Sequence, residues 1–303
     1  MNNSYHKGEL AVQERAGVSE RAQQVGRILQ THLPDGTAGF LANLPILFRG
    51  GLDHQGNVWA SVLTGDPGFI TTHDARHVTI QPNLLPEDPL NRDGPADAPS
   101  GFLAINLATR QRFRFNGTAT RYGHDLDIHI DQAYGNCPKY IQRRDVTVHD
   151  QIPDAGPAIT GTALSDEDID LIRQADTFFI ASHAQGHGVD VSHRGGAPGF
   201  VRVSPGGELT FNDYPGNNMF QTLGNLASDP RAGLLFIDFD SGYTLQLTGL
   251  AETQWSAQSP TEFNQTGRAT TFTPQKIIRT PNAVPLRWVL RDYSPYNPQE
   301  NSA

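Results

Sequence analysis

GVDVSHRGGAPGFVRVSPGGELTFNDYPGNNMFQTLGNL, residues 188–226, contains two strand-like runs, two glycine-rich turns and the start of an amphipathic helix. The first run carries the polar cluster Ser192-His193-Arg194 and turns at Gly195 and Gly196. The second run, 208–211, leads through a polar turn to a helix predicted to begin near Asn217. Apolar residues recur at helical spacing there, so one face of that helix should be buried, namely Met219, Phe220, Leu223 and Leu226.

These two elements together predict an anion site. A guanidinium held on a strand binds a phosphate monoester well, and the N–H groups at a helix start attract the same anion. On the strand, the anion would be bound by Arg194 together with Ser192, His193 and Gly195. At the helix start it would be bound by the pair Asn217-Asn218. The alternatives are a surface arginine paired with Asp190 or Asp213, and asparagines that only cap the helix.

The composition narrows the class of protein. The 303 residues carry a formal charge of −9, which argues against nucleic acid as the main partner but still allows a small anion at a local basic spot. Cys137 is the single cysteine, so an internal disulfide is excluded and a small buried thiol is the favoured interpretation. With no apolar leader and no run of about 18 apolar residues, a cytoplasmic protein without a membrane partner is expected.

The pattern along the chain predicts mainly β structure with peripheral helices. Thirty glycines and 21 prolines suit many short strands and tight turns. We expect a helical arm over 5–33, a loop over 81–100, an extended connector over 145–164 and a helix from Ser165 to about Ala175. Strands are predicted at 40–43, 57–63, 69–72, 77–80, 102–107, 112–120, 125–130 and 178–182.

An internal repeat is the clearest global feature. Residues 58–70, VWASVLTGDPGFI, align without gaps on 189–201, VDVSHRGGAPGFV, an offset of 131 residues (189 − 58). Residues 101–119 align on 233–251 at nearly the same offset. The chain is therefore predicted to hold an arm (1–35), a first repeat (36–150) and a second repeat (151–303), each repeat an ordinary domain size.

The two copies differ at the predicted anion site. At the offset of 131, Arg194 corresponds to Leu63 and His193 to Val62, while Asn217-Asn218 corresponds to Pro86-Glu87. Apolar, proline and acidic residues do not attract a phosphate. Only the second repeat is therefore expected to hold one, with the first as a degenerate partner.

The sequence resembles the pyridoxamine 5′-phosphate oxidase-like proteins, in particular their predicted flavin-nucleotide-binding branch. The resemblance rests on five motifs: YHKGELAVQERAG (5–17), NCPKYIQRR (136–144), SHRGGAPGFVRV (192–203), NDYPGNNMFQTLGNL (212–226) and LLFIDF (234–239). It implies two tandem split β-barrels, the FMN-binding split-barrel fold, that form a pseudo-dimer within one chain. FMN would then lie between the two halves.

Carried over residue by residue, the resemblance matches Arg194 to the family's phosphate-binding arginine. Asn217-Asn218 occupies the turn where the oxidases proper carry a basic residue, which is a departure from the pattern. The family's ring-facing strand matches 111–116, which implies Gln111, Arg112 and Arg114 near the flavin; for the arginines the alternative is a solvated strand face. Lys139 and Tyr140 would line the flavin groove or cover a barrel end.

The function expected from this resemblance is an FMN-dependent oxidoreductase acting on an unidentified small molecule. Its electrons would come from NADH or NADPH, directly or through a separate reductase, or pass to oxygen; no catalytic residue is assigned. The alternative is a non-catalytic carrier of flavin, deazaflavin or haem, with His183, His187 or His193 as the haem ligand. Histidine pairs four apart lie in strand or turn contexts, which does not favour a metal site. A further pairing of chains into a homodimer stays open.

Overall fold

A computed structural model describes residues 5–83, 85–147, 152–256 and 266–298, and most of their regular structure is antiparallel β-sheet. The mainly β architecture predicted from the sequence is confirmed. Among these residues, no helix combines the length and the apolar character needed to cross a bilayer. The division into segments 1–35, 36–150 and 151–303 stays a prediction.

The N-terminal arm is helical, but it is not one helix. It consists of α1 (Lys7–Arg15), α2 (Ser19–Val25) and a short 3-10 helix (Gly26–Ile28). Gly17 interrupts the predicted helix with a φ of +68°, a left-handed conformation that ends α1. His6 caps α1, and the Glu9 side chain returns to the His6 backbone N–H, which completes a capping box.

The first unit contains a seven-stranded sheet and two short helices. Its elements are α3 (Thr37–Ala42), β1 (Ile46–Leu52), β2 (Val58–Thr64), β3 (Ile70–Thr72), β4 (His77–Ile80), α4 (Pro89–Arg92), β5 (Asp97–Asn106), β6 (Gln111–Tyr122) and β7 (Asp125–Gly135). The strand order is β2-β1-β5-β6-β7-β4-β3.

Two predictions for this unit are wrong, and one strand was not predicted. The strand predicted at 40–43 is the end of α3, with Leu41 fully buried. The loop predicted over 81–100 contains α4 and the first residues of β5. β1 gave no strand signal, because six of its seven residues are buried and the run lacks the polar alternation of a half-exposed strand.

The second unit repeats this arrangement. Its elements are β8 (Arg143–Thr147), β9 (Ile159–Gly161), α5 (Asp166–Gln174), β10 (Thr177–Ala184), β11 (Gly188–Gly195), β12 (Val201–Val203), β13 (Leu209–Asn212), α6 (Gln221–Ser228), β14 (Arg231–Ile237), β15 (Thr244–Trp255), β16 (Arg268–Thr280) and β17 (Arg287–Asp292). The path β11-β10-β14-β15-β16-β13-β12 matches the first sheet strand for strand, β9 adds to β16, and β8 pairs separately with β17.

The two sheets share an irregularity as well as an order. In the β6–β7 pair the register shifts at Gly117, and in the β15–β16 pair it shifts at Gly249, the corresponding position of the second repeat. A methyl group on Gly117 would lie 1.9 Å from the His129 carbonyl oxygen, and one on Gly249 would lie 2.1 Å from that of Thr273. Glycine is therefore required at both bulges because the neighbouring strand comes so close.

The units face each other about an approximate twofold axis. Phe48 and Phe179, which correspond at the repeat offset, stack on each other with ring centroids 3.5 Å apart. A Cβ on Gly101 would meet the Val189 carbonyl at 2.4 Å, and the matching contact of Gly233 is with Val58, at 2.6 Å. Equivalent contacts in both directions are those of an isologous interface, here formed within one chain.

Candidate functional site

A cleft opens between the two units where β6 and the segment after β7 face β11 and the loop before α6. Its cavity volume is about 120 Å³, and the empty space rises to about 920 Å³ when the open mouth is included. Both units contribute charged and polar groups to its wall, chiefly Arg112, Arg114, Lys139, His193, Arg194 and Gln221.

Three arginines converge on this cleft. Arg112 and Arg114 lie two residues apart on one face of β6, while Phe113 and Phe115 point into the first hydrophobic core. Arg194 comes from β11 of the other unit. In the described part of the chain the side-chain hydrogen-bond partners of all three arginines are neutral, namely His193, Tyr134, Gln221 and a backbone carbonyl.

The pKa shifts follow from this crowding of positive charge. Burial, with the charges of Arg114 and Arg194, lowers the pKa of Arg112 to about 9. Burial also lowers the pKa of Arg194, against a partial compensation from Asp213. Asp213 is the one carboxylate among the described residues of the cleft wall, and Arg268 already binds it at 2.8 Å. The cleft therefore holds positive charge that an anion would stabilise.

His193 is neutral in this setting. Its ring is 3% exposed, and burial together with the neighbouring arginines lowers its pKa well below the usual value. Arg112 Nη1 lies 3.4 Å from its Nδ1, so Nδ1 accepts and Nε2 carries the proton. That Nε2–H is buried and has no partner among the described residues. It is a further donor beside the arginines.

Unpaired buried polar atoms are concentrated at this cleft. Six of those found in the described residues belong to its wall: Arg112 Nε, Arg114 Nε, His193 Nε2, Gln221 Nε2, Asn136 Oδ1 and Asn212 Oδ1. Buried polar groups are normally hydrogen-bonded, and leaving one unpaired costs about 1–3 kcal/mol. Four of the six are nitrogen donors, so the donor set fits a phosphate or carboxylate group.

The helix at this site begins later than predicted. α6 starts at Gln221, four residues after Asn217, since both Asn218 and Phe220 adopt left-handed φ values of 63° and 59°. Asn217 uses its side chain locally, accepting the Met219 N–H at 3.1 Å. Within the described segments no side chain caps α6, so the open N–H groups of the first turn belong to 221–223, residues that also line the cleft.

Most of the predicted site residues meet at this cleft. Its wall contains Ser192, His193, Arg194, Gly195, Asn217, Asn218, Arg112 and Lys139. Gln111 is exposed at the start of β6 and is not part of the wall. Arg114 is 6% exposed and faces the cleft, so the solvated-face interpretation is wrong for it. Whether these residues bind a cofactor stays a prediction.

The sequence did not predict two wall residues, Gln221 and Thr222, or Tyr134 behind the wall. Gln221 and Thr222 begin α6, and Thr222 Oγ1 lies 2.9 Å from Ser192 Oγ. Tyr134, fully buried on β7, has its hydroxyl 3.4 Å from both Arg114 Nη1 and Asp190 Oδ1. Nothing in the local pattern marks these residues, because their partners lie far away in the sequence.

Glycine is required at position 195 because a segment of the cleft wall passes close to it. A Cβ at Gly195 would lie 2.1 Å from the carbonyl oxygen of Tyr140, a residue with φ +66°. The Tyr140 hydroxyl donates to the Pro215 carbonyl at 2.9 Å, and Lys139 Nζ lies 5.1 Å from the centre of the Tyr296 ring. The segment 136–144, which follows β7 and runs into β8, thus closes one side of the cleft.

The equivalent position in the first unit is filled. Gln246, which corresponds to Arg114, donates to the Ala60 carbonyl, to Ser61 Oγ and to Asp88 Oδ2 at 2.9–3.1 Å. Ser61, which corresponds to Ser192, donates to Asp88 at 2.9 Å. A buried carboxylate and its donors therefore occupy the place that corresponds to the space between the three arginines of the cleft.

Residues 164–291 match the family model of pyridoxamine 5′-phosphate oxidase, and the resemblance seen in the motifs is confirmed for that part of the chain. No curated protein matches. Among solved structures, HupZ of Group A Streptococcus is 14% identical, with 38% of this chain and 91% of that one covered and a TM-score of 0.31. A FAD-binding protein of Mesorhizobium loti is 11% identical over 41% and 98%, with a TM-score of 0.31. HutZ, the haem storage protein of Vibrio cholerae, is 11% identical over 39% and 95%, with a TM-score of 0.28.

Proposed function

From the match of residues 164–291 to the pyridoxamine 5′-phosphate oxidase family, we propose that this protein binds FMN in the cleft between its two units and acts as an FMN-dependent oxidoreductase on a small molecule. The observation that carries the proposal is the convergence of Arg112, Arg114 and Arg194 without a carboxylate partner in the described chain. A dianionic phosphate is the kind of ligand this arrangement would stabilise.

The phosphate would be held by the second unit. Arg194 and Ser192 on β11 and the first turn of α6 line the same part of the cleft, where Ser192 Oγ lies 2.9 Å from Thr222 Oγ1. Charged and backbone donors acting together bind phosphate strongly. The Nε2–H of His193 would add a donor, which the ring keeps whether it is neutral or protonated.

The flavin ring would lie toward the arginines of the first unit. When bound, FMN supplies hydride and electron transfer, and the protein supplies orientation and charge. Arg112 and Arg114 would stabilise negative charge at the pyrimidine edge of the reduced ring. Two phosphate charges and one ring charge would offset the three guanidinium charges of the cleft, which supports a ligand with two anionic parts.

An absorption spectrum of the purified protein, followed by titration with FMN, tests the proposal. Bound FMN is expected to give the visible flavin bands and to quench the fluorescence of added FMN. A colourless protein that neither shifts these bands nor quenches the fluorescence contradicts it. A haem or deazaflavin spectrum would replace FMN with that cofactor.

A second candidate is a carrier that binds flavin without turnover. It is favoured by the state of two wall residues that could otherwise transfer a proton, since burial and the neighbouring arginines lower the pKa of His193 well below its usual value and burial raises the pKa of Tyr140 to about 12. Anaerobic mixing of the flavin-loaded protein with NADH or NADPH separates the two. Rapid bleaching of the flavin band supports the oxidoreductase, and no bleaching over minutes supports the carrier.

A further inference from the structure

The N-terminal arm packs directly behind the anion site. α1 lies against α6 through two glycines, since a Cβ on Gly8 would come within 2.2 Å of the Gly224 carbonyl oxygen. On Gly224 it would come within 2.6 Å of the Glu9 backbone N. This contact leaves no room for a side chain, so α1 fixes the position of the helix whose first turn lines the cleft.

Gln13 joins the arm to the loop before α6. Its side chain is fully buried, and Nε2 donates to the Met219 carbonyl at 3.0 Å across 206 residues of sequence. Met219 stands between the two left-handed residues Asn218 and Phe220. Left-handed backbone costs a non-glycine residue about 1 kcal/mol or more, and it persists only where tertiary contacts impose it. Gln13 makes one such contact.

The arm also touches the opposite wall of the cleft. Tyr5 and Ala22 form a small buried cluster with Met219 of the second unit and Tyr134 of the first. The Tyr134 hydroxyl is the one that meets Arg114 Nη1. One apolar cluster therefore supports an element on each side of the cleft, the loop before α6 and the strand beside β6.

We propose that the arm is a positioning element for the anion site and that Gln13 is the residue through which it holds the 217–220 loop in its binding conformation. The inference rests on the proposed anion site but not on the identity of the cofactor. Gln13 touches no ligand in this proposal. Its role is to keep the first-turn N–H groups of α6 and the left-handed loop aligned with Arg194.

The test is Gln13→Met, which keeps the volume and flexibility of the buried side chain but removes the donor. Gln24→Met, at an exposed position of α2, is the matched control. Affinity is measured for FMN and for riboflavin, which lacks the phosphate. We expect FMN binding to weaken roughly 3- to 10-fold in Gln13→Met, the effect of one net hydrogen bond, with riboflavin binding unchanged.

Two results would overturn the inference: equal weakening of FMN and riboflavin, which is the signature of a general loss of structure, or no change for either. Binding of inorganic pyrophosphate, measured by thermal shift, distinguishes failure of this inference from failure of the proposed function. If the wild-type protein binds pyrophosphate but not FMN, the cofactor assignment fails while a reduced pyrophosphate shift in Gln13→Met still supports the positioning role. If it binds neither, both proposals fall.

Discussion

At the scale of single residues, the side chain of Arg194 is the clearest difference between the two units. It stands at the cleft on β11, while its counterpart Leu63 is 3% exposed in the core of the first unit. The same backbone position thus carries a ligand-facing cation in one copy and a packing residue in the other. Removing the guanidinium of Arg194 should therefore weaken anion binding without creating a cavity in a hydrophobic core.

Arg194→Leu is predicted to weaken FMN binding by about 2 to 4 kcal/mol, the usual cost of deleting one side of a charged hydrogen-bonded pair. Quenching of flavin fluorescence measures the affinity. Arg202→Leu, at an exposed position of β12, serves as the control and should bind FMN as the wild type does. Equal affinity of Arg194→Leu and wild type would remove Arg194 from the site.

Glu9 predicts a dependence of stability on pH. It is 6% exposed, and burial raises its pKa to about 8, with Asp190 adding to the rise and the His6 N–H opposing it. The folded state therefore holds a proton that the unfolded chain releases near pH 4.5. In that window the folded state binds more protons, so the free energy of unfolding falls as pH rises from about 4.5 to about 8, by at most ~1.4 kcal/mol per pH unit.

Glu9→Gln keeps the capping box and removes the titration. Denaturant unfolding at several pH values should show the variant gaining on the wild type as pH rises through that window. His6, whose pKa burial lowers, and Asp190 face Glu9 in both proteins, so their contributions cancel to first order in the difference. The exposed Glu14→Gln on the same helix is the control. A pH-independent difference would mean that Glu9 titrates normally.

At the scale of elements, the two β-bulges explain why β6 and β15 each require a glycine at one position. Gly249→Ala is predicted to destabilise the protein by about 1–3 kcal/mol, because the new methyl group would overlap the Thr273 carbonyl or force the β16 strand away. Gly117→Ala should behave in the same way against His129.

Thermal or denaturant unfolding checks both changes against Gly135→Ala, where a Cβ would meet no atom within 4 Å. That control should be neutral or slightly stabilising, since alanine restricts the unfolded chain more than glycine does. If all three variants unfold alike, the close approach of the strands at the bulges is not what selects glycine.

The start of α6 is another feature at this scale. Of the four residues predicted for the buried face of this helix, Leu223 and Leu226 are buried within α6 and Met219 is buried just before it. Phe220 is only half-buried, and the helix begins later than predicted. The two left-handed residues at 218 and 220 delay the helix, and tertiary contacts with the arm hold them there. Periodicity reports burial, whereas the conformation of a loop depends on what packs on it.

At the scale of the whole molecule, the approximate twofold axis creates two equivalent corners, and among the described residues one is an open cleft while side chains fill the other. The closed corner contains Asp88, whose two carboxylate oxygens accept from Ser61 and Gln246. Burial raises the pKa of Asp88 against those hydrogen bonds. An anionic cofactor would meet an occupied, acid-lined space there.

One FMN is therefore predicted to bind per chain. Calorimetric titration of the wild-type protein should saturate at a ratio of one to one. The fold provides two equivalent corners, so the single site must result from the difference between their side chains. A ratio of two would show that the Asp88 network opens, and it would contradict the assignment of the site to the second unit alone.

The sequence by itself determined the features that repeat at short range. The strand predicted at 112–120 lies within β6, where successive residues face opposite sides of the sheet, and the confirmed mainly β fold was evident from short strands and turns. The motifs around Arg194 also led to the family that residues 164–291 match. These patterns can be recognised in a single sequence because they depend only on residues that are close together in the chain.

Tertiary structure decided which of those faces meets water and which meets the other unit. It placed Arg114 in the cleft and Gln111 outside it, brought Gln13 to Met219, and filled the corner at Asp88. Each outcome depends on groups that lie far apart in the chain and approach only when the two units pack. Local periodicity distinguishes the two faces of a strand, but only packing between distant segments determines what lies opposite each face.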